Sequence, residues 1–210
     1  MPFELRNATE ADALRSAEIE RLAYAPLATT AVLFPGPMPA DVMNHRAAEL
    51  AKLLRDDPTC RWLKVVETDI EPNETNDQMI GFAQWNIRTA GEPLPGPRTP
   101  HPGVNDEAFE ALFGAINRMR AKTIGDQPHL HLKSLHVDPK YERKGAGQQM
   151  ISWGVEEAKK AGLPAFLEAS QVGYPLYLRC GFREVDRISV DFNRWGLDEI
   201  ATTVAMVKDP

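Results

Sequence analysis

The sequence predicts a mixed α+β (α/β) domain built around one central sheet. Segments of strand-like composition outnumber helical patterns along the 210 residues, and they occur both in βα units and in hairpins. A chain of this length can bury a sizeable core, so we expect residues 1–210 to form a single domain. We find no internal repeat that would indicate a stacked-repeat fold.

The first third of the chain is predicted to contain a strand and two helices. Phe3–Arg6 alternates like a strand, and Thr9 with Asp12 forms a capping-box pattern at the start of a helix. The apolar face of that helix is Ala11, Leu14, Ile19 and Leu22. A second helix is predicted from about Ala40 to Arg55. Between the helices we expect a loop, because of Pro26, Pro35, Pro37 and Pro39.

The middle of the chain is predicted to be a hairpin followed by an insertion. Trp62–Glu67 and Met79–Ile87 read as two strands that pair around a polar turn. Thr89–Gly103 contains five prolines and is expected to be irregular. A helix then starts at Asn105 or Asp106 and ends near Gly125. We therefore predict an insertion of Pro-rich loop plus helix at about residues 89–125.

The last part of the chain mixes strands and helices. The predicted strands are His129–Val137, Ala165–Ser170, Arg183–Phe192 and Thr202–Val207. The predicted helices are Gly145–Gly162 and Tyr174–Cys180. Small residues on the apolar face of the longer helix, such as Gly154 and Ala158, are expected to let it lie close to the sheet.

The totals argue against several classes of protein. A net charge of −6 disfavours general nucleic-acid binding, which needs a basic face. Cys60 and Cys180 are too few for a disulfide framework or a metal cluster, so we expect reduced thiols and no metal. No apolar run reaches the roughly 18 residues of a membrane span, and residues 1–6 lack a signal core. We therefore expect a cytoplasmic protein that binds neither nucleic acid nor membrane.

Two features of residues 134–182 carry the chemistry. The segment Arg143-Lys144-Gly145-Ala146-Gly147 places two glycines and two cations at a helix start, where backbone N–H groups and the helix dipole favour a phosphate group. Taken alone, this short motif also fits a plain turn with solvated basic residues. Further on, the phenol of Tyr177 has a pKa near 10 and can protonate a departing thiolate, although a single tyrosine more often just packs.

Together these segments resemble the GCN5-related N-acetyltransferase (GNAT) superfamily. Its pyrophosphate motif, Gln/Arg-x-x-Gly-x-Gly/Ala, is similar to Glu142-Arg143-Lys144-Gly145-Ala146-Gly147, and its Tyr-x-x-x-Gly-Phe signature is similar to residues 177–182. The strand and turn at residues 135–139 also resemble the family. Two positions depart from its pattern: Glu142 replaces Gln or Arg and is expected to point away from the anion, and Ser170 stands where Asn is frequent.

The resemblance implies a GNAT-like fold, with a mostly antiparallel twisted sheet of six to seven strands, splayed between strands 4 and 5 and flanked by helices. It implies acetyl-CoA as co-substrate in that splay, an N-acetyltransferase activity, and Tyr177 as the catalytic acid. An N–H group of the fourth strand would stabilise the oxyanion. The implied cofactor-binding residues are Leu135, His136, Val137, Arg143, Lys144, Gly145, Ala146, Gly147, Gln148 and Ser170.

Three matters stay open at this point. The base that deprotonates the amine is Glu168, His131, His136, or water held by Ser134. The acceptor is expected to be a small-molecule amine; the alternatives are a peptide or protein N-terminus or lysine, which needs an open groove, and a non-catalytic acyl-CoA sensor. The assembly is expected to be a monomer or a homodimer.

Overall fold

Seven strands form one sheet within residues 2–89 and 103–210, which are the residues that the computed structural model describes. The strand order is β1-β2-β3-β4-β5-β7-β6. Every neighbouring pair is antiparallel except β4 and β5, which are parallel. The predicted mostly antiparallel sheet is therefore confirmed. The strands are Phe3–Asn7 (β1), Cys60–Glu67 (β2), Met79–Arg88 (β3), His129–Val137 (β4), Ala165–Ser170 (β5), Arg183–Asp191 (β6) and Ile200–Lys208 (β7).

Helices flank this sheet on both faces. They are Ala13–Tyr24 (α1), Ala28–Leu33 (α2), Val42–Asp56 (α3), Asp106–Phe109 (α4), Ala115–Thr123 (α5), Ala146–Ala161 (α6) and Tyr174–Arg179 (α7). A π-helical turn, Glu110–Gly114, joins α4 to α5. The segment of α2 was predicted to be loop, and that prediction is wrong. Residues 27–34 between Pro26 and Pro35 contain no proline, so one short helix fits there.

Strand alternation assigns the helices to two faces. On the α6 face, α6 and α7 cover side chains such as Trp85, Leu132 and Leu167. On the α5 face, α1 and α3 cover Phe82, and α5 covers Phe166. As predicted, α6 lies close to the sheet: a Cβ added to Gly154 would be 2.1 Å from the ring of Trp85.

Helix α1 is rotated relative to the predicted apolar face. Leu14 was expected to be buried but is 46% exposed. The helix instead buries Ala13, Ser16 and Ala17 together with Ile19. These small side chains let the helix pack closely on the sheet, a choice that apolar periodicity alone does not reveal. The predicted capping box is present, since the backbone N–H of Thr9 donates to Asp12 Oδ2 at 2.7 Å.

The helical part of the predicted insertion is tied to α2 and to the loop between β6 and β7. The Asn105 N–H donates to the Leu33 carbonyl of α2 at 2.9 Å. Glu107 forms an ion pair with Arg194 in the β6–β7 loop. One hydrophobic cluster contains residues from α2, α4 and the β6–β7 hairpin, including Leu33, Phe109 and Phe192. The Pro-rich stretch of the insertion, residues 90–102, lies outside the described residues.

Strands β4 and β5 separate after a short pairing. Leu130–Leu132 pair with Ala165–Leu167, and both strands then continue, β4 to Val137 and β5 to Ser170. The predicted splay between strands 4 and 5 is confirmed. A β-bulge marks the same point: Gln84 is opposite Ser134 and Trp85 is opposite Leu132, so Lys133 is an extra residue in β4.

Candidate active site

The turn after β4 is fixed by side chains from two segments. Asp138 Oδ1 accepts a hydrogen bond from the Lys140 N–H at 3.1 Å, which starts a short 3-10 turn at Pro139. Asp138 Oδ2 accepts from Arg15 Nη2 of α1 at 2.7 Å, and both side chains are largely buried. The turn predicted at residues 138–139 is therefore anchored to the α5 face before the chain enters the glycine loop.

The glycine loop has the backbone geometry of an anion site. Arg143 and Gly145 have left-handed φ values of +60° and +99°, and α6 begins directly after them. Such a loop aims N–H groups outwards at the positive end of the helix dipole. Lys144 is exposed, with its Nζ 5.0 Å from the centre of the Tyr141 ring. Glu142 is exposed as well, so its carboxylate has access to solvent.

Gly147 brings the glycine loop against two segments, β4 and α7, that flank the opening between the separated ends of β4 and β5. A Cβ added there would be 3.2 Å from Leu176 Cδ2 on α7, 3.6 Å from Leu135 Cδ2 and 4.0 Å from Val137 Cγ2 on β4. Three segments that were singled out separately in the sequence therefore meet at one residue. Of the other residues predicted to bind cofactor, Gln148 is exposed on the first turn of α6 and Ala146 is buried beneath it.

Tyr177 lies on α7, beside the end of β5. Its side chain is buried, at 8% exposure, and a Cβ added to Gly173 would be 2.8 Å from its Cε2 atom. Burial, together with the nearby phenol of Tyr24, raises the pKa of Tyr177 above its usual value. The hydroxyl is thus protonated at any ordinary pH, as a proton donor must be. The predicted Ser170 accepts the Gly173 N–H at 3.2 Å, which leaves its own hydroxyl hydrogen to donate.

Tyr24 is a candidate site residue that the sequence did not indicate. It is the last residue of α1, its ring packs edge-on against His136 of β4 at 5.0 Å, and it is 44% exposed. The imidazole of His136 also contacts Phe82, with ring centres 5.3 Å apart. Tyr24 therefore contacts β4 through His136, and its phenol also contributes to the raised pKa of Tyr177. In the sequence, Tyr24 is simply the end of a helix shortly before Pro26, and that pattern does not indicate a role in the site.

Two of the four candidate bases form one buried cluster. His131 Nε2 lies 2.8 Å from Glu168 Oε2 across the β4–β5 boundary. Arg120 Nε of α5 donates to the other carboxylate oxygen. Burial alone would raise the pKa of Glu168, but its contacts with His131 and Arg120 hold that pKa below its usual value, and burial lowers the pKa of His131. Glu168 is therefore ionised and His131 neutral, with His131 donating its Nε2 proton.

Further polar side chains line the same part of the α5 face. Gln84, Asn86, His129 and Thr203 are all buried. Asn86 donates to Asp57 and to Thr59 at 3.0 Å, and Gln84 donates to Asn86 at 3.3 Å. The floor beside the opening is therefore polar and hydrogen-bonded, in contrast to the apolar α6 face.

Within the described residues, no group of three His, Cys, Asp or Glu side chains is placed to hold a metal ion. Nor does any helix in residues 2–89 and 103–210 have the length and apolar character needed to cross a bilayer.

A family model described as Acetyltransferase (GNAT) family matches residues 33–182, well over half of the chain. Among curated proteins, the chain is 28% identical over 110 residues to SID5 of Ajellomyces capsulatus, named a probable acyltransferase. That match covers 50% of this chain and 75% of SID5.

Solved structures share the fold along the whole chain. A mosquito arylalkylamine N-acetyltransferase-like protein (5b) superposes with a TM-score of 0.64 at 15% identity, covering 99% of this chain and all of that one. The yncA protein of Salmonella typhimurium, solved with its cofactor acetyl-CoA, gives a TM-score of 0.56 at 17% identity, covering 100% and 94% of the two chains. Matches at this identity establish the architecture.

Proposed function

Because this chain belongs to the GNAT family of acetyltransferases, we propose that it transfers the acetyl group of acetyl-CoA directly to a primary amine of a small molecule. Family membership makes it an acyltransferase, and the resemblance inferred from its motifs is confirmed. The observation that carries the proposal is the meeting of the glycine loop, the β4 wall and the tyrosine helix at Gly147.

The residues present fit acetyl-CoA. The left-handed Arg143 and Gly145 form a backbone cradle for the pyrophosphate, with Lys144 and Arg143 adding charge and Gln148 within the same helical turn. Beyond Leu132, where β4 and β5 separate, none of the described residues forms a strand on the β5 side of Leu135, His136 and Val137. The pantetheine arm would lie there, with the Ser170 hydroxyl opposite. Bound there, acetyl-CoA supplies the acetyl group as a thioester.

Tyr177 would supply the proton for the sulfur that leaves. Its raised pKa keeps the phenol protonated, and its burial places the donor in a site of low dielectric. A β4 backbone N–H would donate to the carbonyl oxygen as negative charge develops there. Neither role requires a metal ion.

Of the open candidates, His131 is the best-supported base. Glu168 is a weak proton acceptor, because its carboxylate is already bonded to Arg120 and His131. His136 is packed between the rings of Tyr24 and Phe82. His131 is neutral. Because its Nε2–H donates a hydrogen bond to Glu168, the free lone pair of the ring lies on Nδ1. Because His131 is buried, it would take the ammonium proton through a water molecule.

The α5 face favours a small acceptor over a protein chain. An extended peptide needs a continuous groove across the sheet, between α2 and the β6–β7 loop. Here the insertion helix links those two segments, through Asn105 to Leu33 and through Glu107 to Arg194. The hydrophobic cluster of Leu33, Phe109 and Phe192 connects the same two segments.

The proposed location is the cytoplasm. The thiols of Cys60 and Cys180 are not joined in a disulfide, which suits a reducing compartment.

Two measurements test this function. Calorimetry should show saturable binding of acetyl-CoA to the folded protein, and a panel of amines, polyamines, amino acids and peptides should show CoA release with at least one small amine. A folded protein that does not bind acetyl-CoA would contradict the proposal. Release with peptides alone would contradict the acceptor class, and binding without any turnover would indicate a sensor.

A further inference from the structure

A guanidinium from the insertion helix contacts the pair formed by His131 and Glu168. Arg120 Nε donates to Glu168 Oε1, and His131 Nε2 is 2.8 Å from Glu168 Oε2, so the two oxygens are each taken by a different partner. The side chains are 14%, 9% and 2% exposed for arginine, glutamate and histidine. The Arg120 Nη1 group also donates to Asn117 Oδ1 at 3.2 Å, one helical turn earlier. The arginine is thereby held in place from its own helix.

We propose that Arg120 is a positioning residue for catalysis: through Glu168 it keeps His131 neutral, with Nε2 protonated and Nδ1 available to accept the amine proton. This rests on the proposed function. A permanent cation beside the carboxylate offsets the attraction that an isolated Glu168 would exert on an imidazolium. The carboxylate still orients the ring and fixes its tautomer. The insertion would thus contribute to the chemistry as well as to the acceptor wall.

The other charged or titratable groups around His131 either lower its pKa as well or affect it only weakly. Lys133, the bulge residue of β4, lowers its pKa further, as does Arg120. His129 lies on the same strand with ring centres 6.0 Å apart and is itself neutral near pH 7, because burial lowers its pKa to about 4. Phe166 of β5 covers the imidazole at 5.6 Å. Glu168 carries the negative charge that opposes these effects and raises the pKa of His131.

The proposal predicts shifts of opposite sign for the two partners. In Arg120→Gln the uncompensated carboxylate should raise the His131 midpoint by about one unit, while Glu168→Gln should lower it. The matched control is Arg118→Gln, two residues away on α5, whose partner Glu110 is exposed. Arg120→Lys keeps the cation and should behave as the parent. A merely structural arginine would change stability without moving the midpoint.

Two readouts on the full-length protein separate the outcomes. Imidazole NMR, assigned with His131→Gln, gives the midpoint without any turnover; the acid limb of kcat/KM gives its effect on the reaction. We expect both to move up in Arg120→Gln, so that its activity falls about tenfold relative to the parent at pH values below the parent's own midpoint and stays close to the parent at pH 8.5.

An unchanged NMR midpoint in folded Arg120→Gln would overturn the proposal. A midpoint that moves while the acid limb stays would also overturn it, because His131 would then not be the base. Complete lack of acetyl transfer would instead sink the proposed function, and the NMR midpoint would still decide whether Arg120 controls His131. If Arg120→Gln does not fold, Glu168→Gln and Arg120→Lys provide the same comparison, the first expected to fall below the parent and the second to match it.

Discussion

Gly173 lies directly against the ring of Tyr177, such that a Cβ at residue 173 would be 2.8 Å from Tyr177 Cε2. The backbone of Gly173 has φ −78°, which any residue adopts. Gly173→Ala therefore tests the position of the ring without backbone strain. Because the ring is buried and must shift, we expect kcat to fall about tenfold or more, with acetyl-CoA affinity preserved. Steady-state kinetics with calorimetry measures both; the exposed Val172→Ala is the control, and equal kcat in the two variants would contradict the prediction.

Removing the Tyr177 hydroxyl should lower turnover without unfolding the protein. We expect Tyr177→Phe to reduce kcat by about 10²-fold, the lower range for a general acid. Since the pKa of Tyr177 is raised, the parent should show no loss of activity from this group below about pH 10. The matched control is Tyr174→Phe on the same helix, whose hydroxyl donates to Glu184 at 3.1 Å, away from the opening. Unchanged kcat in Tyr177→Phe would remove it from catalysis.

The basic loop residues should act on cofactor affinity alone. We expect the double variant Arg143→Gln with Lys144→Gln to weaken acetyl-CoA binding by about tenfold, because two cations near a pyrophosphate are lost. Added salt should narrow the difference from the parent. Lys159→Gln, at the far end of α6, is the control. Calorimetry at two salt concentrations checks this. If the affinity of the parent for acetyl-CoA does not change with salt, an electrostatic contribution is contradicted.

Gly154→Ala should destabilise the fold. Its Cβ would be 2.1 Å from Trp85, a ring that is fully buried and donates from Nε1 to the Met150 carbonyl at 3.2 Å. Overpacking of this kind costs about 1–3 kcal/mol. Chemical denaturation should show a lower free energy of unfolding. Val155→Ala on the next position of α6 is a size-reducing comparison, and a Gly154→Ala protein as stable as the parent would contradict the observed packing.

Acid should destabilise the protein partly through His129. The buried imidazole has a pKa of about 4, against about 6.5 in the unfolded chain. Between these values the unfolded state binds more protons, so the free energy of unfolding falls as pH drops from about 6.5 to about 4, by on the order of 3 kcal/mol. His129→Asn, which can keep the bond to the Gln127 carbonyl, should flatten that slope. Exposed His45→Asn should retain it; equal slopes in both variants would refute the assignment.

The sequence could predict the segments of the proposed cofactor half because that half is local. The glycine loop, helix α6, strand β5 and Tyr177 follow one another, and each has a pattern of its own. Arg120 and Tyr24 could not be found this way: they lie far along the chain from the residues they approach, and a charged residue on a helix looks like any solvated one. The bulge at Lys133 was not predicted either. One inserted residue leaves the apolar strand pattern intact both before and after it along β4.

The order of the strands along the chain separates the two halves of the proposed site during synthesis. Strands β1 to β4 are neighbours in the sheet in the order in which they are synthesised, whereas β5, β7 and β6 all come from residues after 164. A nascent chain that has reached Ala161 already contains the loop that would bind the pyrophosphate, but it has one wall of the cleft and no Tyr177. The loop for the pyrophosphate is therefore synthesised before the second wall and before the proposed proton donor.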